Sequence, residues 1–170
     1  MNINNKGSKS EIFDQIRDWL KSQDYQVQQE DQSRPWGGFF VLDESQIQKF
    51  RKQFFNSVQF SDFQLKNKLS PKILLVAPGK RLSWQYHHRR AEIWKLIGGA
   101  GGIVISNSDE EGPVENLKLD HVIELSQGER HRLVGLDNWG VVAEIWMHTN
   151  PEHPSDEEDI VRLQDDFERK

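Results

Sequence analysis

From Ser70 to His148 the chain is a succession of short, β-rich segments punctuated by glycine, proline and Asn/Asp. KILLVAPG, RLSWQYH, AEIWKLIGGAGGIVIS, HVIELSQG, HRLVGL and VVAEIWMH follow one another in this way. Strands so short and so regularly interrupted pack as a β-sandwich or a β-barrel. Gly98, Gly99, Gly101 and Gly102 crowd one place, which predicts a tight turn or a close approach of two backbones. The NSDEEGPVENLK connection reads as an exposed loop. The tail from Asn150 is acidic and Pro-containing, with DIVRLQDDF folding back across the strands.

The residues ahead of Ser70 have a different period. Residues 1–9 are polar and read as a frayed end. Ser10 is then the expected N-cap of a helix over EIFDQIRDWLKSQ, where Ile12, Ile16, Trp19 and Leu20 recur at helical spacing and Phe13 widens the stripe. Residues 24–33 form a polar connector with a short strand at Tyr25–Val27, and a strand follows at Phe39–Leu42 after a Gly-Gly turn. A second helix is predicted from Ser45 to Phe55, with Ile47, Phe50, Phe54 and Phe55 on one side. Residues 57–69 read as a strand-like fragment. Each helix carries one apolar face that must dock on its own barrel or on a partner subunit, and the second option predicts a homodimer. The whole is a single domain over 1–170, with a helical N-terminal extension that includes the RPWG strand (1–69), a barrel core (70–150) and an acidic C-terminal tail (151–170).

Composition narrows the function classes. A chain of 170 residues is long enough to bury a core, and 29% of its residues are charged. No apolar run approaches the roughly 18–20 residues of a membrane span, and MNINNKGSKS lacks a signal-peptide apolar region. There is no cysteine, which excludes disulfides and zinc–thiolate sites. The net charge of −5 argues against a nucleic-acid surface. The expectation is a cytoplasmic protein with neither a membrane nor a nucleic-acid partner.

The chemistry concentrates in Pro78–Gly99, PGKRLSWQYHHRRAEIWKLIGG. Alternate side chains of a strand share a face, so Arg81, Ser83, Gln85 and His87 point one way and His88 the other. Glu92 follows the short HRRA segment, on what is expected to be the neighbouring antiparallel strand. That pairing sets a carboxylate beside an imidazole, and His131 lies near a further glycine. A lone histidine in a strand is usually surface or core furniture. Gln85, His87, Glu92 and His131 together are nitrogen and oxygen donors suited to a first-row divalent metal. Arg81 and Arg89 flank this set, and guanidinium groups grip phosphate bidentately. Arg90 and Arg130 read as a solvated face, and Trp84, Trp94 and Trp146 as core.

The spacing Gly79, Gln85, His87, Glu92, Gly99 resembles the first signature of the cupins, with Gln where many carry a first His. SQGERH (126–131) matches the Gly-x-x-His part of the second signature but has Ser where Pro is usual. Within the cupins the chain resembles the C-terminal barrel of type II mannose-6-phosphate isomerases. RPWG (34–37), PGKRLS (78–83), QYHH (85–88), AEIW (91–94), RHR (130–132) and EDIVR (158–162) carry the likeness. Tyr86 stands where that family has Met, and HHRR replaces His-His-His-Arg.

The resemblance implies an all-β core, a cupin (jelly-roll) β-barrel with an N-terminal helical extension. It implies one divalent metal on Gln85, His87, Glu92 and His131, with zinc first and Mn, Fe, Co or Ni as alternatives. The implied activity is a sugar-phosphate aldose–ketose isomerase, most simply mannose-6-phosphate to fructose-6-phosphate. His88, Lys80 and Glu92, or a metal-bound hydroxide, are the candidates for proton transfer. Arg81, Arg89 and Arg132 are the candidates for the substrate phosphate, with Arg162 added by the C-terminal match. That family carries a nucleotidyltransferase domain ahead of its barrel, and sugar-nucleotide synthesis is not expected of this chain. The alternatives are a metal- and sugar-binding cupin without catalysis, or an iron(II) cupin dioxygenase.

Overall fold

The computed structural model of the chain describes residues 7–169. Most of the frayed end expected over residues 1–9 lies outside the described residues. Helix α1 (Lys9–Ser22) is capped by Ser8, not Ser10. The Ser8 hydroxyl accepts the Glu11 amide while the Glu11 carboxylate accepts the Ser8 amide, a reciprocal box that outcompetes the later serine. A hairpin of β1 (Val27–Asp31) and β2 (Gly37–Leu42) follows, then an Asp43-capped 3-10 turn and α2 (Ile47–Phe54). The fragment expected to be extended over 57–69 contains instead a short helix, α3 (Asp62–Lys66). Ser61 and Gln64 form a second capping box there, and local cap chemistry outweighs the β propensity of the interspersed phenylalanines.

The remaining strands are β3 (Lys72–Val76), β4 (Trp84–Tyr86), β5 (Arg90–Ser106), β6 (Glu115–Asn116), β7 (Val122–Leu125), β8 (Arg130–His148) and β9 (Val161–Gln164). The segments HRLVGL and VVAEIWMH, read as two strands, are one continuous β8. It pairs with β5 along almost its whole length, from Arg90 opposite His148 to Ser106 opposite Arg130. Bulges at Leu96/Gly98 and Gly99/Gly101 interrupt this ribbon. Gly99 has φ 68°, and a Cβ there would lie 1.7 Å from the Trp139 carbonyl oxygen. The close backbone approach read from the glycines is therefore real. On one side of the bulges the ribbon is flanked by β3 and β7, and on the other by β4 and β6. Side chains from both halves, among them Trp94, Val142, Ile103 and Leu133, share one buried cluster, so the two halves face each other as a barrel.

Parity divides the core. Ile73, Leu75, Ile93, Val141, Ala143 and Ile145 face outward and pack under Ile12, Phe13, Ile16, Leu20 of α1 and Phe50, Phe54 of α2. Leu74, Val76, Trp94, Leu96 and Val142 face the barrel interior. β3 is thus covered on both faces, which is why it reads as an uninterrupted apolar run. Each fully buried Leu, Ile or Phe side chain contributes about 1.5–3 kcal/mol. The helices' apolar stripes are closed by the chain's own sheet, which removes the reason given above for a dimer. The strand order in the sheet is β1-β2-β3-β8-β4-β9. β1 and β2 of the N-terminal extension and β9 of the tail are members of the sheet, not appendages to it. Among the described residues no helix is long and apolar enough to cross a membrane.

Candidate metal centre

Gln85, His87, Glu92 and His131 meet inside the barrel, all buried. The route differs from the one expected. β4 does not pair with β5; it pairs with β8 and β9, and Gln85 stands directly opposite His131 in that register. Glu92 arrives through the bend after His87 that leads into β5. One ligand atom from each of His87, Glu92 and His131 can be chosen so that all lie within 4.8 Å of one another.

The hydrogen bonds fix the imidazole tautomers. His87 Nδ1 lies 2.5 Å from the Asp159 carbonyl, and His131 Nδ1 lies 2.9 Å from the Glu129 carbonyl. A carbonyl only accepts, so each Nδ1 carries the proton and each Nε2 presents a lone pair. Those two Nε2 atoms face the same carboxylate, at 3.3 Å (His87 to Oε1) and 3.4 Å (His131 to Oε2). Burial pushes the His87 imidazole down to about 4, so it is neutral at pH 7. Burial opposes ionisation of Glu92, but the positive charge around it, with the Arg90 guanidinium donating to its Oε1, outweighs that and holds the carboxyl well below its usual range. His131 Nε2 and Glu92 Oε2 have no hydrogen-bond partner. Acceptors converging in a dry interior without a donor are costly, and a divalent cation resolves that cost. The residues fit a metal on this ground.

Arg90 was read as part of a solvated face; it is buried. It donates from Nε to Glu92 Oε1 at 2.7 Å, from Nη2 to His87 Nε2 at 3.1 Å and from Nη1 to the Ser155 hydroxyl at 2.8 Å. Its plane lies 3.6 Å from the Trp146 ring centroid. It therefore holds Glu92 by one oxygen while the other faces His131. Gln85 sits in the cluster, but its Oε1 accepts the Ser83 hydroxyl at 2.6 Å and its amide nitrogen is the end nearer His87.

The other expected site residues lie elsewhere. His88 is exposed, with its ring against Tyr86, and Lys80 is exposed in the turn before β4. Neither lines the cavity beside Glu92: His88 follows the inward-facing His87 and takes the opposite face, and Lys80 lies in the exposed turn before β4. Arg81 is bound bidentately to Asp166, Arg89 to Asp156 and the Pro154 carbonyl, and fully buried Arg132 to Glu111 and the Gln164 carbonyl. None of the three lines the cavity. Carboxylates of the loop before β6 and of the C-terminal tail claim these arginines, which sequence spacing does not reveal.

The cavity itself, about 90 Å³, opens past Glu92 to Lys72, Glu144, Trp146 and Arg162. Glu144 escaped the sequence reading. It stands opposite both Lys72 and Trp94, and its Oε1 accepts the Trp94 indole N–H at 3.0 Å. Burial, reinforced by Glu92, pushes its carboxyl up to about 8. The available signal was a single carboxylate inside the apolar run GVVAEIWM. Trp146, read as core, lines this cavity and has Lys72 Nζ 3.4 Å from its ring centroid.

Asp159 also went unnoticed. Its carbonyl orients His87, and its carboxylate accepts the amides of His88 and Arg89 and the Ser155 hydroxyl. It fixes the bend between β4 and β5. Asp159→Ala keeps the carbonyl that orients His87 but removes the carboxylate that pins the bend carrying it. Metal binding is expected to weaken by about 10-fold, the low end of the roughly 10–100-fold range seen when ligand-orienting groups are lost. Titration of metal into the stripped variant checks this, and parental affinity would refute the role.

A family model described as mannose-6-phosphate isomerase C-terminal matches residues 53–165. Comparison with characterised protein sequences found no match. Among solved structures, the capsular polysaccharide assembling protein CapF from Staphylococcus aureus is similar at 18% identity and a TM-score of 0.55, over 84% of this chain and 34% of that one. A structure of the DMSP lyases RdDddP and RnDddQII is similar at 16% identity and TM-score 0.54, over 94% of this chain and 74% of that one. Oxalate oxidase in complex with glycolate is similar at 16% identity and TM-score 0.51, over 78% and 58%. At these identities the likeness is one of fold, that of the cupin jelly-roll barrel. The chain spans about a third of the length of the CapF chain it matches.

Proposed function

From the premise that this chain belongs to the mannose-6-phosphate isomerase C-terminal family, we propose that it is a metal-dependent sugar-phosphate aldose–ketose isomerase, with mannose-6-phosphate to fructose-6-phosphate the first reaction to test. The observation that carries the reading is the pair of Nε2 lone pairs set on the two oxygens of a buried carboxylate in the cavity wall.

His87, Glu92 and His131 would hold a divalent ion, with Gln85 beside them. Such an ion supplies Lewis acidity, polarising the carbonyl and hydroxyl oxygens of an open-chain sugar. Arg90 fixes the Glu92 carboxylate, and Asp159 and Glu129 fix the two imidazoles. Glu144 is the group suited to moving the proton. An acid–base catalyst works best with a pKa near the operating pH, and burial places Glu144 there while Trp94 fixes its orientation. It takes the place assigned to His88 and Lys80. The apolar wall of Trp94, Trp146 and Leu74 limits water around the reacting carbons.

A panel of hexose, pentose and heptose phosphates, assayed with zinc, manganese, cobalt and iron, tests the reading. Turnover of at least one aldose phosphate to its ketose is expected, and it should cease on chelation. No isomerisation across the panel would overturn it, and iron-dependent oxygen consumption would favour the dioxygenase alternative.

A further inference from the structure

Beyond the metal cavity lies a second recess of about 810 Å³, between the β1–β2 hairpin and the loop 154–157. Lys72, Trp146 and Glu157 line both spaces, so they form the wall between them. The Lys72 ammonium is committed within that wall, to Glu157 and to the Trp146 ring. The other carboxylates facing the recess are committed as well. Asp43 accepts the Ser45 amide and the Gln28 side chain, and Glu44 accepts the amides of Leu69 and Ser70. Asp156 accepts Arg89 and two amides of its own loop.

What remains in the recess is donors. Trp146 and His148 alternate along β8 and so share one face. They are only 6% and 4% exposed, and Trp146 Nε1 and His148 Nε2 have no hydrogen-bond partner among the described residues. His148 Nδ1 lies 2.9 Å from the Ser155 amide nitrogen. An amide N–H only donates, so Nδ1 accepts and Nε2 carries the proton. Burial, followed by the charge of Arg90, pushes this imidazole down and keeps it neutral. Lys68 is exposed at the rim, makes no hydrogen bond or ion pair among the described residues, and lies near enough for its charge to act on His148. Buried N–H groups without an acceptor are costly. Two such groups beside one uncommitted ammonium suit an acceptor that carries a single negative charge, whereas a dianion would meet the surrounding carboxylates. Val41, Leu42 and Pro154 add an apolar wall for an organic body.

We propose that this recess is a second binding site, for an organic monocarboxylate. The N–H groups of His148 and Trp146 and the ammonium of Lys68 hold the carboxylate, and the apolar body lies against Val41, Leu42 and Pro154. The ligand sits across the Lys72–Trp146–Glu157 wall from Glu92, so its binding needs no metal. The site stands or falls independently of the isomerase reading.

Calorimetric titration of the metal-loaded full chain with acetate, benzoate and octanoate tests the site without any turnover. At least one of these should bind, and more tightly than the alcohol of the same skeleton. Lys68→Gln, and separately His148→Asn, should weaken that binding by about 10–100-fold, the range expected for one charge-assisted contact. Asn at 148 keeps an acceptor for the Ser155 amide while removing the Nε2 donor. Lys68 is exposed, so its variant keeps the test open if His148→Asn does not fold. Lys66→Gln, on α3 and outside the recess, should change nothing. Removing the metal by chelation should leave the affinity as it was, whereas a carboxylate bound to the ion itself would be lost. Parental affinity in both variants overturns the site. So do equal binding of the alcohol, loss of binding on chelation, and absence of binding by all three carboxylates at millimolar concentration.

Discussion

Alanine in place of His87 is expected to strip the protein of metal. The parental chain should carry about one divalent ion per chain, and His87→Ala should bind it more than about 100-fold more weakly. That bound follows because loss of an orienting group alone costs about 10–100-fold, and here a direct donor is lost. Burial holds His87 neutral down to about pH 4 and Glu92 stays ionised below its usual range. Those two donors therefore compete with protons only in acid, so neither should limit metal content at neutral pH. Removing the metal by chelation should also lower Tm, since an ion bound only by the folded state stabilises it by mass action. Elemental analysis of the two proteins decides the matter. Full occupancy in His87→Ala would mean that the ion sits away from this cluster, and a parent purified and titrated without taking up metal would mean that the cluster holds none.

Glu144→Gln should have the second large effect, and it acts on chemistry and on stability in opposite directions. Gln keeps the shape and can still accept the Trp94 N–H, but it cannot exchange a proton. A fall in kcat of about 10²–10⁴-fold, with metal content unchanged, is expected from loss of a general acid–base. The stability effect follows from linkage. The folded carboxyl sits at about 8 and the unfolded one near its ordinary 4.5, so the folded state holds the proton more tightly. The buried acid then costs nothing below about pH 4.5, destabilises progressively as pH rises from there towards 8, and costs no more beyond. The Gln variant should therefore gain Tm over the parent across that window, by about 3 °C or more at pH 8. A parental kcat in Glu144→Gln would remove its catalytic role. Equal Tm at pH 5 and pH 8, relative to the parent, would mean that the carboxyl is ionised in the fold.

These two residues differ in how far the sequence revealed them. His87 belongs to a period-2 alternation close to a carboxylate and a turn, and such local patterns are written in the chain. The same holds for the apolar stripes of α1 and α2, the strands after Ser70 and the glycine crowding that lets β5 approach β8. Backbone stereochemistry and side-chain period act over a few residues, so a single chain displays them directly. Charge partnerships do not have that property. Arg90 is separated from Ser155, Arg81 from Asp166 and Arg132 from Glu111 by long stretches of chain, and only the return of the tail and the loop before β6 decides which cation is spent. Glu144 is an ordinary carboxylate in sequence. Its altered acidity arises because β3 and β5 close on either side of β8 and exclude water from its face of the barrel. Local pattern in the chain set α1, α2, most strands after Ser70 and the donor types, while α3 and the continuity of β8 emerged only in the fold. Only the tertiary structure, by setting dielectric and partner at each charge, decided which of those groups the cavity can use.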